Sequence, residues 1–330
     1  MEKAINEIVD LASAYYGSAV LFAALECGVF AAVEQAGTLA EIAKLTKCSP
    51  RGLSLLLDAC VAEGLLNKAG DTYTNTAAGK LTLVPGGKAD LTKAIKYNQD
   101  VYRAWGQLSA FVKTGLPVER PQLHLGENAE RTKAFAASMY ARAMAIGRSV
   151  VPMLGALSGK VLDLAGGPGA YAILMCQANA QLKCETVDLP AISAEAAKFV
   201  AAAGLQERIS CRAGDYHTDE YAAEAYEAVT IFGALHQESA EDIVAILKRA
   251  YRALKPGGKI FILDMMTDET HVAPKFSALF GVNMALTTQH GWVFSDAELK
   301  GWLKEAGFAA GATNAVPPPM PHWLVTGMKM

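Results

Sequence analysis

The chain has 330 residues and a mass of 34.9 kDa, a length that favours two domains over one. Hydrophobic residues make up 52% of the sequence and charged residues 19%, so the chain can bury a large core and is not expected to be disordered. The formal net charge of −3 argues against a generally basic nucleic-acid-binding protein, although a local basic patch stays open.

The amino-terminal segment and the cysteines predict a cytoplasmic protein that does not enter a membrane. The apolar run at residues 18–33 is interrupted by Glu26 and is shorter than the ~20 residues of a bilayer span. The first ten residues carry acids and no apolar centre, unlike a secretory signal. The cysteines form no C-x-x-C pair and have no histidines at metal-ligand spacing, so we expect reduced thiols and no metal site. They are Cys27, Cys48, Cys60, Cys176, Cys184 and Cys211.

Residues 1–90 have the element order of a winged helix: helix, turn, helix and hairpin. Apolar positions recur at helical spacing over residues 10–33, and Ser49 and Pro50 predict the N-cap and first residue of a later helix that stops near Gly64. The segment that follows predicts a hairpin turning at Ala69–Asp71. The residues expected to be buried are Leu39, Ile42, Ala43 and Leu45 in one helix and Leu53, Leu56, Leu57 and Cys60 in the next.

Residues 91–155 are predicted to be helical and to link two domains. They are rich in aromatic and methionine side chains, and a loop containing Pro117, Pro121 and Gly126 divides them. From residue 156 onward, short apolar strands alternate with helices, as in KVLDL, CETVD, AVTIF and KIFIL. This alternation predicts an α/β domain over residues 156–330 with a mainly parallel, doubly wound sheet.

In such a sheet the ligand binds beyond the carboxyl ends of the strands. The segment VLDLAGGPGAY (161–171) is a strand, a glycine turn and a helix start, with Asp163 three residues before Gly166. A carboxylate there would repel a pyrophosphate but suits a cationic ligand end. Asp188 lies 19 residues past Gly169, at the end of the next strand, where an acid binds ribose hydroxyls. An amino group, a ribose and no pyrophosphate favour S-adenosylmethionine over NAD.

Six motifs resemble those of S-adenosylmethionine-dependent O-methyltransferases and follow the same order. They are VLDLAGGPGAY, VDLP, GDYHTD, LHQES, LKPGGKIFILD and HGWVFSDAELKGWLKEAGF. The chain is similar, over nearly its whole length, to the two-domain small-molecule class, which includes caffeate-type, acetylserotonin-type and antibiotic-tailoring enzymes. The resemblance implies a Rossmann-like catalytic domain, a winged-helix dimerisation domain, and a homodimer.

The predicted cofactor-binding residues combine the glycine turn with acids at later strand ends. Asp215 is expected to accept a hydrogen bond from the adenine amino group, and Tyr216 to pack on the ring. The full set is Asp163, Gly166, Gly167, Gly169, Asp188, Leu189, Asp215 and Tyr216. Ala165 stands where the family pattern has its first glycine, and because alanine is small we expect binding to survive.

The resemblance implies that His236 is the general base and that Asp264 orients it. Histidine is the side chain best matched to proton transfer near neutral pH. The alternatives are a strand-end histidine hydrogen-bonded in the core and an acid that caps a helix. Gln237 and Val293 replace acids of the family pattern, so one acid–base dyad is expected.

The expected acceptor-binding residues are methionines, which are flexible and pack well on aromatic faces. Met139 and Met284 align with methionines that clamp the acceptor in plant members, and Met265 and Met266 lie beside Asp264. The alternative for each is ordinary core packing. Tyr97, Trp105, Phe135 and Tyr140 could likewise line the acceptor pocket or pack in the core. For Arg142 and Arg148 the alternatives are a ligand contact and a solvated surface position. His217, His271 and His290 are expected at the surface or in caps.

These observations predict a homodimeric enzyme that O-methylates a hydroxyl group on a small aromatic molecule, with no metal and no nucleic-acid partner. The same fold with carbon or nitrogen methylation, or with non-methylating chemistry, is the nearest alternative. A ligand-responsive DNA-binding regulator is another, although the second helix of the winged helix offers Arg51 and little else to phosphates. An NAD-dependent oxidoreductase is disfavoured by Asp163.

Overall fold

A computed structural model of the chain describes residues 2–87, 89–123, 125–317 and 321–330. The chain forms two compact units, Met1–Gln99 and Asp100–Met330, and each is described by itself. The division into residues 1–90, 91–155 and 156–330 stays a prediction.

The amino-terminal unit consists of short helices and one hairpin. Its elements are α1 (Glu2–Ser13), α2 (Tyr15–Glu26), α3 (Val29–Val33), α4 (Leu39–Thr46), α5 (Pro50–Ala62), β1 (Leu66–Ala69), β2 (Thr72–Asn75) and α6 (Ala77–Thr82), while α7 (Thr92–Trp105) runs into the second unit. Ser49 caps α5 by accepting a hydrogen bond from the Gly52 backbone N–H, and Pro50 follows, as predicted.

The core of this unit contains most of the side chains that the helical spacing predicted. Ile42, Ala43, Leu53, Leu57 and Cys60 are buried. The prediction for Leu45 was wrong, because this side chain is 46% exposed. At 3.6 residues per turn, Leu45 lies roughly a third of a turn away from the centre of the Ile42–Ala43 face.

The helices α1 and α2 expose a row of large apolar side chains. These are Ile5, Ile8, Val9, Leu11, Tyr15 and Tyr16. The stretch Lys3–Glu26 is long and apolar enough to cross a membrane by length and composition alone, and it is longer than the apolar run at residues 18–33. A helix that pairs with another protein surface has the same composition, so the expectation of no membrane stays a prediction.

The second unit begins with helices and continues as an α/β sheet. Its helices are α8 (Leu108–Thr114), α9 (Ala129–Val150), α10 (Ala170–Ala178), α11 (Pro190–Ala202), α12 (Ala240–Ala253), α13 (Lys275–Thr287) and α14 (Asp296–Glu305), with short 3-10 helices at Pro121–Leu123, Val151–Leu154 and Leu235–Gln237. Its strands are β3 (Lys160–Leu164), β4 (Lys183–Asp188), β5 (Ile209–Ala213), β6 (Tyr226–Phe232), β7 (Leu254–Met265), β8 (Phe308–Ala315) and β9 (His322–Lys329).

The strands of the second unit form one sheet in the order β5-β4-β3-β6-β7-β9-β8 among the described residues. Strands β3 to β7 are parallel, and β9 is antiparallel to both β7 and β8. The order reverses between β3 and β6, which is the switch point where ligands bind in such sheets. The predicted doubly wound α/β fold is confirmed, and β5, β8 and β9 are strands that the sequence analysis missed.

The central strands are apolar on both faces because helices cover both faces of the sheet. Leu162, Val229 and Ile262 belong to the core on one face, and Val161 and Phe261 belong to the core on the other. Polar side chains inside these strands are therefore exceptional, and they mark the site.

Candidate active site

A row of polar side chains crosses the buried centre of the sheet. Asp163 of β3 is in register with Thr186 of β4 and with Thr230 of β6. The Thr230 hydroxyl donates to Asp163 Oδ1 at 2.7 Å. Asp163 Oδ2 and Thr186 Oγ1 are both buried, and neither has a hydrogen-bond partner among the described residues. Burial raises the pKa of Asp163 to about 7, against the opposing effects of the Thr230 and Thr186 hydroxyls; the Thr186 hydroxyl lies near the carboxylate but outside hydrogen-bond geometry.

The glycine turn after β3 requires its glycines for different reasons. A side chain at Gly166 would collide with the Thr186 hydroxyl and would lie 2.7 Å from Asp163 Oδ2. Gly167 has φ +55° and faces open space, and Gly169, with φ +75°, is the N-cap of α10. Ala165 has φ +52°, a left-handed conformation that costs an L-residue roughly 1–2 kcal/mol. The turn thus keeps space beside Gly167 and the buried acid.

Asp188 closes the turn from the end of β4. Its Oδ2 accepts a hydrogen bond from the Gly167 backbone N–H at 2.8 Å, and its Oδ1 accepts one from Leu189 at 2.8 Å. Burial raises the pKa of Asp188 to about 6, although these two N–H groups act in the opposite direction. The structure therefore brings together Asp163, the glycine turn and Asp188, as the sequence analysis expected.

The segment after β5 is held by contacts within the protein. Asp215 Oδ1 accepts hydrogen bonds from the backbone N–H of His217 and from its ring, and the Tyr216 hydroxyl donates to Glu238 at 2.6 Å. His217 is part-exposed, in agreement with the expected surface position, but both of its ring nitrogens lie 2.7 Å from a carboxylate, and the sequence did not predict these two contacts. The adenine-binding roles of Asp215 and Tyr216 stay predictions.

His236 and Asp264 meet at the ends of β6 and β7. His236 Nδ1 lies 2.6 Å from Asp264 Oδ1, and the His236 backbone N–H donates to Oδ2 at 3.3 Å. Both residues are buried, and the Phe280 ring stands edge-on to the imidazole at 5.1 Å between centroids. The Trp292 backbone N–H donates to the His236 carbonyl, so the backbone of the histidine is held on both sides.

The predicted acceptor-binding methionines differ in their surroundings. Met265, Met266 and Met284 are buried, and Met139 is half-buried. Met266 belongs to the apolar core around β6 and β7, which supports the core-packing alternative for that residue. Met284 lies one turn after Phe280 on α13, and the adjacent Asn283 accepts a hydrogen bond from Trp105 Nε1 at 2.8 Å. The acceptor-binding roles stay predictions.

Several residues of the site were missed by the sequence analysis. They are Thr186, Thr230, Glu238, Phe280 and Trp292. Thr230 stands out as a polar residue inside the apolar stretch AVTIF of β6, which is a usable signal, whereas Thr186 follows Glu185 in the more polar strand β4 and does not stand out. Glu238 and Trp292 lie in loops and Phe280 lies on α13, and no local sequence spacing predicts that these three become part of the site.

The remaining polar groups offer little to a metal ion. Across the described ranges there is no cluster of three or more histidine, cysteine or acidic side chains with metal-binding geometry. The six cysteines are thiols, and the sulfur atoms of Cys176 and Cys184 lie 3.5 Å apart in the core.

The chain matches two known domain families. Residues 117–309 match the O-methyltransferase domain, and residues 9–85 match the O-methyltransferase dimerisation domain.

Two curated relatives and one solved structure illustrate the range of similarity. The 3-hydroxy-5-methyl-1-naphthoate 3-O-methyltransferase of Streptomyces sahachiroi is 30% identical over 98% of this chain and 94% of its own length. The L-tyrosine C(3)-methyltransferase of Streptomyces lavendulae is 31% identical over 62% of this chain and 57% of its own length. The structure of human N-acetylserotonin methyltransferase in complex with SAM is 25% identical, with a TM-score of 0.88 over 100% of this chain and 98% of that one. The chain therefore belongs to the S-adenosylmethionine-dependent O-methyltransferase family.

Proposed function

We propose that this enzyme transfers the methyl group of S-adenosylmethionine to a hydroxyl oxygen of a small aromatic molecule, with His236 as the general base. The observation that carries the proposal is the buried pair of His236 Nδ1 and Asp264 Oδ1, 2.6 Å apart at the strand ends beside the glycine turn. The names of the relatives, a hydroxynaphthoate 3-O-methyltransferase and an N-acetylserotonin methyltransferase, support an aromatic acceptor.

The turn between β3 and α10 fits the methyl donor. Asp163 Oδ2 and Thr186 Oγ1 are buried polar atoms without a described partner, as expected where a ligand supplies the missing hydrogen bonds. Asp163 would accept from the amino group of the donor, which would lie along the turn from Gly166 to Gly169. When bound, the donor supplies an electrophilic methyl group.

Asp188 and the segment after β5 would make the remaining contacts with the methyl donor. A carboxylate has about four acceptor positions, and Asp188 uses two of them on backbone N–H groups. The other two would accept the ribose hydroxyls, with Leu189 beside them. Asp215 and Tyr216 would border the adenine.

The geometry of the dyad assigns a separate task to each side chain. An ionised Asp264 only accepts hydrogen bonds, so the neutral His236 ring carries its proton on Nδ1 and keeps a lone pair on Nε2. Nε2 takes the proton of the acceptor hydroxyl, which makes the oxygen nucleophilic, and Asp264 stabilises the imidazolium that forms. Such general-base catalysis contributes about 10²–10⁴-fold. Alignment of the two bound substrates supplies much of the rest.

The acceptor would lie between His236 and α13. Phe280 and Met284 of that helix, together with Met139 and Met265, would contact its ring. Thioether and aromatic side chains favour a flat apolar molecule over a sugar or a peptide.

The enzyme is proposed to be a cytoplasmic homodimer assembled through residues 1–90. The dimerisation-domain match and the exposed apolar row on α1 and α2 support this. Obligate interfaces often bury more than about 2,000 Å² in total. Light scattering at micromolar concentration should give the mass of a dimer, and a stable monomer would contradict the proposal.

Carbon methylation of a phenol ring is the second candidate. The similarity to the L-tyrosine C(3)-methyltransferase supports it, and a base that deprotonates the phenol would serve this reaction equally well. The two candidates differ in where the methyl group is found in the product.

The test is a reaction of the purified protein with S-adenosylmethionine and a panel of hydroxylated aromatic acids, phenols and indoles. Mass spectrometry detects a methylated product, and NMR places the methyl group on oxygen or carbon. We expect an O-methyl ether. A product methylated only on carbon would support the second candidate instead.

A further inference from the structure

His217 bridges two loops of the candidate site; we call the set Asp215, Tyr216, His217 and Glu238 the His217 bridge. The ring donates towards Asp215 Oδ1 from Nδ1 and towards Glu238 Oε2 from Nε2, both at 2.7 Å. The Tyr216 hydroxyl donates to the second oxygen of Glu238 at 2.6 Å, and the Tyr216 and His217 rings stack at 4.5 Å. Glu238 is 6% exposed, so its carboxylate is satisfied largely from within this set.

The geometry of the bridge requires a charged ring. A neutral imidazole has one N–H, whereas both nitrogens of His217 face acceptor oxygens, so both hydrogen bonds form only when the ring is protonated. The Glu238 contact, against some desolvation and with help from Asp215, raises the pKa of His217 to about 9. Nearby charges act on its partners: Arg249 of α12 on Asp215, and Asp188 on Tyr216.

Each end of the bridge belongs to a different part of the candidate site. The segment that contains Asp215 is joined to the end of β4 by the Gly214 backbone N–H, which donates to the Asp188 carbonyl at 2.9 Å. Glu238 directly follows the 3-10 helix that carries His236. Trp292 holds that turn from its other side, with Nε1 donating to the Glu238 carbonyl at 2.8 Å.

From this connection we propose that His217 is a positioning residue that couples binding of the adenosine part of the methyl donor to the placement of His236. The inference rests on the proposed function, since it assumes that the segment after β5 borders the adenine. A ligand that orders Asp215 and Tyr216 also orders Glu238 through the bridge, and Glu238 fixes the turn of the base. Losing the bridge therefore weakens donor affinity and turnover together, as expected for two coupled sites.

The experiment compares the wild-type enzyme with His217→Gln at two pH values. Calorimetry gives the affinity for S-adenosylhomocysteine at about pH 7.5 and about pH 10, and a steady-state assay gives kcat at the lower pH. A neutral glutamine cannot donate towards both carboxylates from opposite ends, so we expect affinity and kcat to fall by about tenfold each at pH 7.5, within the 5–150-fold range usual for coupled sites.

The pH dependence separates coupling through the charged ring from a merely structural role. The raised pKa means that the bridge is complete well below pH 9 and is lost as the pH rises through about 9. The affinity ratio of wild type to His217→Gln should therefore shrink towards one at pH 10. Using the ratio cancels the titration of the ligand itself. A ratio that stays constant with pH, or a loss of affinity without loss of kcat, would overturn the proposal.

Three further variants control the comparison. His271→Gln alters a histidine of similar exposure that lies 3.6 Å from Glu298, and it should leave both quantities unchanged. His217→Arg keeps the charge and two donors and should restore most of the loss. Glu238→Gln breaks the same contact from the other side, so it provides the test if His217→Gln does not fold. Failure of the wild-type enzyme to bind S-adenosylhomocysteine would refute the proposed function. Binding that is the same in the wild type and in His217→Gln would refute only the role of His217, so the two failures are distinguishable.

Discussion

The candidate site has two sides at the carboxyl ends of the strands, one at β3 and β4 and the other at β6 and β7. The two sides differ in how many of their buried polar atoms have hydrogen-bond partners. On the β3–β4 side, Asp163 Oδ2 and Thr186 Oγ1 are buried without a described partner, and burial raises the pKa of both Asp163 and Asp188. On the β6–β7 side, Asp264 accepts from the ring and backbone of His236 and from the Met265 backbone N–H.

This difference indicates that one side needs a ligand to complete its hydrogen bonds, whereas the other side has its hydrogen bonds in place before a ligand binds. A buried polar atom without a partner costs about 1–3 kcal/mol, and a ligand that supplies the missing hydrogen bond offsets that cost only in the folded protein. Under the proposed function, the β3–β4 side, here called the donor side, would be completed only by the methyl donor. The β6–β7 side, here called the base side, already holds the proposed base His236 in place, so that no reorganisation would be needed when the proton moves.

The largest effect is expected from breaking the completed side. His236→Ala removes the proposed base and should lower kcat by about 10²–10⁴-fold on a weakly acidic hydroxyl, while S-adenosylhomocysteine affinity changes little. Steady-state kinetics and calorimetry measure the two quantities. Near-native turnover of this variant on such an acceptor would refute the general-base role.

A double-mutant cycle with Asp264→Asn sharpens this result. The asparagine keeps the shape of the side chain but loses the charge that stabilises the imidazolium, so its own effect on kcat should be smaller. Because both residues act on one proton transfer, the effects should not add. The loss in each variant should shrink for acceptors that are already ionised at the assay pH.

The next effect is expected on the donor side. Asp188→Ala removes a charge-assisted acceptor for the ribose hydroxyls and should weaken S-adenosylhomocysteine binding by about 1.5–3 kcal/mol in calorimetry. Asp71→Ala, at an exposed turn of the amino-terminal hairpin, provides the matched control and should have no effect. Unchanged affinity in Asp188→Ala would show that the ribose lies elsewhere.

The contrast between the two sides also explains how far sequence alone could go. Asp163, Asp188, His236 and Asp264 were predictable because each lies at or near the carboxyl end of a strand, and parallel strands bring their carboxyl ends to one edge. Which of these side chains finds a hydrogen-bond partner depends on the register between β3, β4 and β6, and no local sequence pattern predicts that register.

The strands that the sequence analysis missed have a physical cause of their own. Strand β8, FAAGATNA, is rich in alanine and glycine, which have low strand propensity, and it is a strand through its pairing with β9. The contacts of His217 were missed similarly, because Glu238 reaches it from a loop 21 residues away.

Replacing Asp163 by asparagine is expected to raise the stability of the protein but to weaken ligand binding. Because folding raises the pKa of this carboxyl to about 7, above its ordinary value of about 3.9, the ionised group disfavours the folded state progressively as the pH rises from about 4 to about 7. Asp163→Asn removes the buried charge and offers an N–H to Thr186 Oγ1. It should stabilise the ligand-free protein by about 1–3 kcal/mol at pH 8 and less at pH 5, while weakening S-adenosylhomocysteine binding.

Thermal unfolding at the two pH values tests this trade-off. A variant that is less stable than the wild type at pH 8 would mean that the carboxylate of Asp163 is satisfied in the folded protein without its ligand. The contrast between the two sides of the edge would then be lost.

The smallest effect concerns backbone strain on the donor side. Ala165 has φ +52°, so Ala165→Gly relieves a conformation that disfavours an L-residue, although glycine also gives the unfolded chain more freedom. We expect a net gain of about 0.5–1 kcal/mol in the free energy of unfolding, with S-adenosylhomocysteine affinity nearly unchanged because the glycine keeps the same turn. Ala197→Gly, at an exposed position inside α11, is the matched control and should lose about 1 kcal/mol. Equal losses in both variants, measured by denaturant unfolding, would mean that Ala165 is not strained, and that the unsatisfied polar atoms alone distinguish the donor side from the base side.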